Sequence, residues 1–262
     1  MITSTSNVKI KNLIKCMRQS KERRKQGVFL VEGIRMFSEI PASYHIESYA
    51  TDSFYRKHSQ LFEGIDYEIV SDSVMETVAD TKTPQGVVSM VKQFSYTLEQ
   101  VCGEGITEAP LILALENIQD PGNLGTIVRT AEGAGVTGII MSRDTVDIYN
   151  PKVVRATMGS VFRVPFCYVD DLVECVSGLS DRIGTYSAHL QGVSFYDFDY
   201  SQPTVFVMGN EGNGLSEAMS GVTSYKISIP MKGCVESLNV ATAATVLMYE
   251  AMRQRYSRYR QK

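Results

Sequence analysis

No apolar run in this sequence approaches membrane-spanning length, and no continuous hydrophobic segment follows the early lysines, so neither a transmembrane helix nor a secretory signal is expected. Histidine is scarce, at three residues. The five cysteines, Cys16, Cys102, Cys167, Cys175 and Cys234, are odd in number and form no Cys-x-x-Cys pair. Zinc-ligand spacing is therefore absent, and a reduced, soluble, cytoplasmic protein without a metal is expected. A formal net charge of -3 excludes a wholly basic nucleic-acid coat protein while leaving room for a local basic patch. No internal repeat or low-complexity tract is present. No Gly-x-Gly-x-x-Gly follows the first apolar strand of the C-terminal half, and no Gly-Lys-Ser/Thr phosphate loop occurs, which argues against a dinucleotide-dependent oxidoreductase and a P-loop enzyme.

What is present is a chain of 262 residues, 44% hydrophobic, enough for one large or two ordinary domains. Lys9, Lys11, Lys15, Arg18, Lys21, Arg23, Arg24 and Lys25 stand against the single acid Glu22, and Ile10, Leu13, Ile14 and Met17 recur at helical spacing. This predicts an amphipathic helix with basic flanks. Short strands are expected at 28–31, 44–49, 66–70 and 86–91, with helices at 33–39 and 73–79, making residues 1–96 a small α/β domain. Residues 97–109 break the rhythm with Gly103, Gly105 and several acids and read as a linker. Residues 110–262 open on the continuous apolar run Leu111–Leu115, as expected of a strand covered on both faces. Further strands near 137–141, 164–168, 183–188, 205–208 and 226–229 alternate with helices, the last over about 239–256. That alternation predicts a mostly parallel sheet with helices on both faces.

Three turns carry most of the polar chemistry, each after an apolar strand. The first, Glu116 to Ala131, has Gly122 and Gly125, Asn123 as a candidate cap, and Arg129 about one and two-thirds helical turns further on. Alone it reads equally as a capped helix with a solvent-facing arginine. The second, Gly209-Asn-Glu-Gly-Asn-Gly214, holds Glu211 beside an exposed backbone edge, with a plain tight turn as the alternative. The third, Ile229 to Asn239, gathers Glu236, Ser237 and Asn239 at a helix start, where Ser or Asn also serves as an ordinary cap. Between the first two lies Tyr149 to Pro165, with Lys152, Arg155 and Arg163 and the hydroxyls of Thr157 and Ser160, read either as a helix with surface bases or as an RNA-facing one.

In their order and spacing these turns resemble the three motifs of the SpoU, or TrmH-like, RNA ribose 2′-O-methyltransferases. The matching pieces are Asn123-Leu-Gly-Thr-Ile-Val-Arg-Thr-Ala131, Val207-Met-Gly-Asn-Glu-Gly-Asn-Gly-Leu215, and Ile229-Pro-Met through Glu236-Ser-Leu-Asn-Val240. Residues 152–165 resemble the family's inter-motif helix, with Thr157 where serine is more usual. Phe29-Leu-Val-Glu-Gly-Ile-Arg35 and Thr83-Pro-Gln-Gly-Val87 are similar to its L30e-like substrate-binding domain.

The resemblance implies an α/β fold of two domains: an L30e-like RNA-binding domain over 1–96, then, after the linker, a SPOUT methyltransferase domain over 110–262 with a mostly parallel sheet and a deep trefoil knot. It also implies S-adenosylmethionine as cofactor, structured RNA as substrate, with 23S ribosomal RNA expected and transfer RNA or a non-catalytic RNA-binding role as alternatives, and a homodimer. Carried onto this sequence, the catalytic set is Arg129, Asn123, Glu211, Ser237 and Asn239, the last four orienting Arg129 and the nucleotide. A guanidinium stays protonated, so Arg129 is expected to hold the phosphate or the developing alkoxide rather than act as a base. Cofactor binding falls to Met208, Gly209, Asn210, Gly214, Leu215, Ile229, Met231, Leu238 and Asn239, core packing being the alternative for the two methionines. RNA binding falls to Lys21, Arg23, Arg24, Lys25, Arg35, Lys152 and Arg155, with a solvated helix face as the alternative for the N-terminal run and the tail Arg253 to Arg260 as a possible extension.

Overall fold

The basic N-terminal segment forms two helices rather than one. Asn7 caps α1 (Val8–Arg18) by accepting from the Lys9 backbone N–H, and α1 buries Ile10, Leu13, Cys16 and Met17. Gln19 is extended, at φ -125° and ψ 113°, and α2 (Ser20–Gln26) starts again after it, ending on Gly27 in the left-handed region. The break turns Arg23 inward. Its side chain is 3% exposed, its Nη1 donates to the carbonyls of Cys16 and Met17 at the end of α1, and its Nη2 pairs with Asp147 at 2.5 Å.

The computed structural model describes residues 1–259, so Arg260 lies outside the described residues. Two compact units are present: Met1–Phe94 with Asp147–Phe162, and Ser95–Val146 with the described residues from Arg163 onward. The first continues through β1 (Val28–Glu32), α3 (Ile34–Phe37), β2 (His45–Thr51), α4 (Asp52–His58), β3 (Tyr67–Val70), α5 (Asp72–Val78) and β4 (Val87–Lys92). Its sheet runs β1-β4-β2-β3, with β4 antiparallel to both neighbours and β2 parallel to β3. Against it pack α1 and α5, burying Val74, Met75 and Val78 with the α1 face.

The second unit begins at Ser95 and takes in the segment read as a linker. Thr97 and Gln100 form a capping box on α6 (Leu98–Val101), and Val101 is fully buried. Its carbonyl oxygen would lie 2.2 Å from a Cβ at residue 138, so only glycine fits there. There follow β5 (Leu111–Leu115), α7 (Pro121–Gly133) and β6 (Gly138–Ser142). The chain then supplies α8 (Pro151–Thr157) to the first unit. Residues 147–162, expected with the C-terminal domain, thus pack with the N-terminal one. The Arg23–Asp147 pair and an Arg155–Asp80 ion pair hold them there. Next come β7 (Phe166–Val169), α9 (Leu172–Ser180), β8 (Gly184–Ser194), β9 (Thr204–Met208), α10 (Glu217–Val222), β10 (Tyr225–Ser228) and α11 (Val240–Tyr259).

All five strand pairings of this sheet are parallel, in the order β10-β8-β9-β5-β6-β7. The central β5 and β9 are buried along their whole lengths, as their unbroken apolar runs require. Strand order reverses between them, so their carboxyl ends open a crevice of the kind in which open α/β sheets bind ligands. No helix among the described residues is long and apolar enough to cross a membrane.

Breaking a buried ion pair by removing one partner costs about 3 kcal/mol or more. Arg23→Ala is therefore expected to lower the denaturation midpoint of the first unit with little change in slope. An unchanged midpoint together with weakened RNA binding would return Arg23 to the RNA-facing set.

Candidate active site

The crevice is built from the turns that follow β5, β6 and β9. After β5, Asn117 adopts φ 58°, a left-handed conformation that asparagine tolerates better than most residues. There its backbone N–H donates to Ser142 Oγ at the end of β6, and its carbonyl accepts from Asn210 Nδ2 after β9 at 2.8 Å. Asp120 then caps α7 by accepting from the Asn123 N–H, with Pro121 in the first helical turn. After β9 the chain folds back so tightly that a Cβ on Gly209 would sit 2.3 Å from the Gly214 carbonyl carbon. Asn210 and Gly214 close that loop with two backbone hydrogen bonds, and Gly214 takes φ 69°.

Glu211 lies in this loop, and its carboxylate is the hub of the site. It accepts from the backbone N–H groups of Gln119 (3.1 Å) and Asp120 (3.0 Å) and from Asn123 Nδ2 (3.0 Å). Asn123 Oδ1 in turn accepts from Asn239 Nδ2 at 2.9 Å. Asn239 Oδ1 accepts from the Ala241 backbone N–H, so the same side chain caps α11 and closes the relay. Burial works against the charged form of Glu211. The hydrogen bonds from the Asn123 amide and the Asp120 and Gln119 backbones outweigh it, and the carboxyl stays below the ordinary glutamate range.

One member of each of the three turns is thereby joined in a single chain, Glu211–Asn123–Asn239. The other two residues expected to be catalytic stand apart from it. Arg129 is exposed on α7, on the stripe that includes Gly122 and Thr126, and makes no hydrogen bond or ion pair among the described residues. No hydrogen bond from the relay orients it. Ser237 is exposed and lines the adjacent cavity without a hydrogen-bond partner among the described residues.

That cavity has a volume of about 550 Å³, within the range of cofactor sites. Of the nine residues expected to bind cofactor, eight line it: Met208, Gly209, Asn210, Gly214, Leu215, Ile229, Met231 and Leu238. Asn239 does not. Met208 is 2% exposed and is mainly a packing residue, whereas Met231 is half-buried at the wall. Sequence patterning missed the opposite wall, Ala188 to Gln191. Ser187 pairs with Lys226 and Val193 with Ile227, so residues 188–191 of β8 loop out of the pairing with β10 before Gly192 returns to it. Gly192, where a Cβ would lie 2.7 Å from the Lys226 carbonyl oxygen, was the available signal.

Of the bases expected to meet RNA, Lys21, Arg24, Lys25, Arg35 and Lys152 are exposed in the first unit. Arg155 is half-buried in its ion pair with Asp80. Arg23 is a correction: buried against α1 and Asp147, it is structural and does not face solvent. In the C-terminal tail, Arg255 is likewise structural, donating to the carbonyls of Ala109, Pro110, Tyr200 and Gln202. Among the described residues no group of three or more His, Cys, Asp or Glu is placed to hold a metal.

An all-parallel sheet with a glycine-walled cavity at the carboxyl ends of β8, β9 and β10, beside a fixed carboxylate, has the architecture of an open α/β enzyme. The chain belongs to the SpoU rRNA methylase family, whose model matches residues 110–249, and residues 7–89 match the MRM3-like substrate binding domain. It is 34% identical to an uncharacterized tRNA/rRNA methyltransferase of Synechocystis sp., covering 98% of this chain and 94% of that protein. It is 32% identical to the 23S rRNA (guanosine(2553)-2′-O)-methyltransferase RlmP of Bacillus subtilis, covering 95% of this chain and 97% of that protein. Among solved structures, the SpoU methyltransferase AviRb of Streptomyces viridochromogenes in complex with AdoMet superimposes with a TM-score of 0.84 at 29% identity, covering 96% of this chain and 100% of that one.

Proposed function

We propose that this protein transfers a methyl group from S-adenosylmethionine to a ribose 2′-hydroxyl of structured RNA, with 23S ribosomal RNA as substrate. The observation that carries the reading is the Glu211–Asn123–Asn239 relay, which fixes all three family motifs beside one cavity. The residues present fit the cofactor. The wall at Gly209 approaches the Gly214 backbone more closely than any side chain permits, and Leu215, Ile229, Leu238 and Leu247 offer an apolar surface for a purine and a thioether chain. S-adenosylmethionine supplies an electrophilic methyl group carried on a sulfonium.

The protein's contribution is positioning and charge. Gly209, Ile229 and Leu238 hold the cofactor, and the relay keeps the start of α7 and the start of α11 in register with the glycine turn. Arg129, exposed and unengaged, binds the phosphate next to the target ribose or the oxygen as its charge develops. Ser237, at the cavity wall, takes part in orienting the nucleotide. The first unit grips RNA through Lys21, Arg24, Lys25, Arg35 and Lys152, with Arg155 contributing through its free edge. Two such chains form a homodimer through the methyltransferase units, a reading supported by the exposed Tyr249 (46%) and Tyr256 (55%) on α11. The likeness to solved SpoU methyltransferases supports a deep trefoil knot in the C-terminal chain, and a ribosomal RNA substrate supports a cytoplasmic location.

Mapping ribose methylation in ribosomal RNA from cells lacking and then regaining the protein tests the substrate. One 2′-O-methyl mark in 23S RNA is expected to vanish and return. A mark lost only from transfer RNA would overturn the ribosomal assignment. Charge reversal at Lys21, Arg24 and Lys25 is expected to weaken RNA binding and flatten its salt dependence by about one unit of slope per phosphate contact, with cofactor affinity unchanged. Undiminished RNA affinity would remove α2 from the RNA surface.

A further inference from the structure

Among the described residues the cavity is lined by two carboxylates, Glu211 and Glu236, and by no lysine or arginine. The two are differently employed. Glu211 is occupied by backbone and amide donors that fix the relay. Glu236, in the loop between β10 and α11, lines the cavity, is exposed, and makes no hydrogen bond or ion pair among the described residues. The remaining titratable group of the wall is His189, held by Ser187 and Ser220 at 3.1 and 3.3 Å. Burial pushes its pKa down and Lys226 acts in the same direction, both favouring the neutral ring, which leaves the negative character of the wall intact.

Resting on the reading of this cavity as the cofactor site, we propose that Glu236 discriminates the methyl donor from its spent product. Donor and product share the adenosine and amino-acid moieties, which the apolar and backbone wall binds alike in both. They differ by one methyl group and one positive charge. On transfer, the carbon–sulfur bond breaks with its electron pair remaining on sulfur, the methyl carbon bonds the 2′-oxygen, and the hydroxyl proton leaves to solvent. The sulfur thereby passes from cation to neutral thioether. A carboxylate at the wall favours the first state and gives nothing to the second, so it helps load the donor and release the product. Being solvent-facing, Glu236 is screened, which holds its effect to about fivefold in affinity and makes it salt-dependent.

Titration calorimetry of full-length wild-type protein and Glu236→Gln tests this with three ligands. These are S-adenosylmethionine, S-adenosylhomocysteine, and sinefungin, whose protonated amine replaces the sulfonium. The variant is expected to bind both cations about fivefold more weakly while its affinity for S-adenosylhomocysteine stays the same. Glu236→Asp restores part of the difference, and 1 M salt is expected to shrink the wild-type preference toward that of the variant. Equal weakening of all three ligands would reduce Glu236 to a shape contact, and an unchanged ratio would remove it from recognition; either result overturns the assignment while leaving the cofactor site standing. Wild-type protein that binds none of the three would instead overturn the cofactor reading itself, and this assignment with it.

Discussion

Arg129→Ala is expected to lower single-turnover methylation by about a hundredfold to a thousandfold, the range seen when one donor to a developing oxyanion is removed. Cofactor affinity should not move, because Arg129 lies outside the cavity wall, and stability should hold, because the side chain is exposed and bonds to nothing among the described residues. A surface arginine without partners is otherwise dispensable, so a large loss of turnover confined to the chemical step would mark it as a substrate contact. Arg129→Lys keeps the charge but loses the planar fork and is expected to recover only part of the rate. Near-normal turnover of the alanine variant would sink the assignment.

The second large effect is expected at Glu211. Its carboxylate receives two backbone N–H groups and the side-chain amides of Asn123 and, more distantly, Asn210, and Glu211→Ala leaves the Gln119 and Asp120 N–H groups and the Asn123 amide facing the crevice with nothing to accept them. The α7 start, the glycine turn and the α11 start then lose their common tie. Turnover is expected to fall about tenfold to a hundredfold, with a smaller loss of cofactor affinity, because a misplaced first turn costs more in alignment than in binding. The pH dependence has a definite sign. The folded-state pKa of Glu211 lies below the ordinary glutamate range, so the stability it contributes is complete above that range and is lost as pH falls through the folded value. Wild-type protein should therefore lose stability on acidification more steeply than Glu211→Gln, whose relay carries no titrating group. Parallel acid-unfolding curves for the two would show that the carboxylate is not held in its charged form.

How much of this could be read from the chain depends on the range of the interactions involved. The unbroken apolar runs of β5 and β9 announce central parallel strands because both faces of each are covered, a property local to five residues. The three turns that hold Asn123, Glu211 and Asn239 stand out by composition, but each reads alone as a cap or a tight turn, and it is the family resemblance that joins these residues in one site. Arg23 was not legible. Its neighbours are bases on a solvent-facing helix, and nothing local distinguishes it. Its inward turn follows from the extended Gln19 and from Asp147, 124 residues away. The same long-range pair explains why residues 147–162 pack with the first unit, against the expectation from chain order. The β8 bulge was invisible to alternation because residues 188–191 interrupt the pairing without interrupting the strand-like composition. The Ser216 cap that starts α10 is legible from its place after the glycine turn, whereas α9 is hidden beside stronger signals although Asp171 caps it in the ordinary way.

The most direct test of the account is methyl transfer by purified protein from S-adenosylmethionine labelled in the methyl group to 23S ribosomal RNA lacking the modification, followed by alkaline hydrolysis. A methylated 2′-oxygen cannot assist cleavage of its own phosphodiester, so the account predicts the label in an alkali-stable dinucleotide, at one site, and its disappearance with Arg129→Ala. Label recovered in a base-methylated mononucleotide, or no transfer by protein that binds the cofactor, would contradict it.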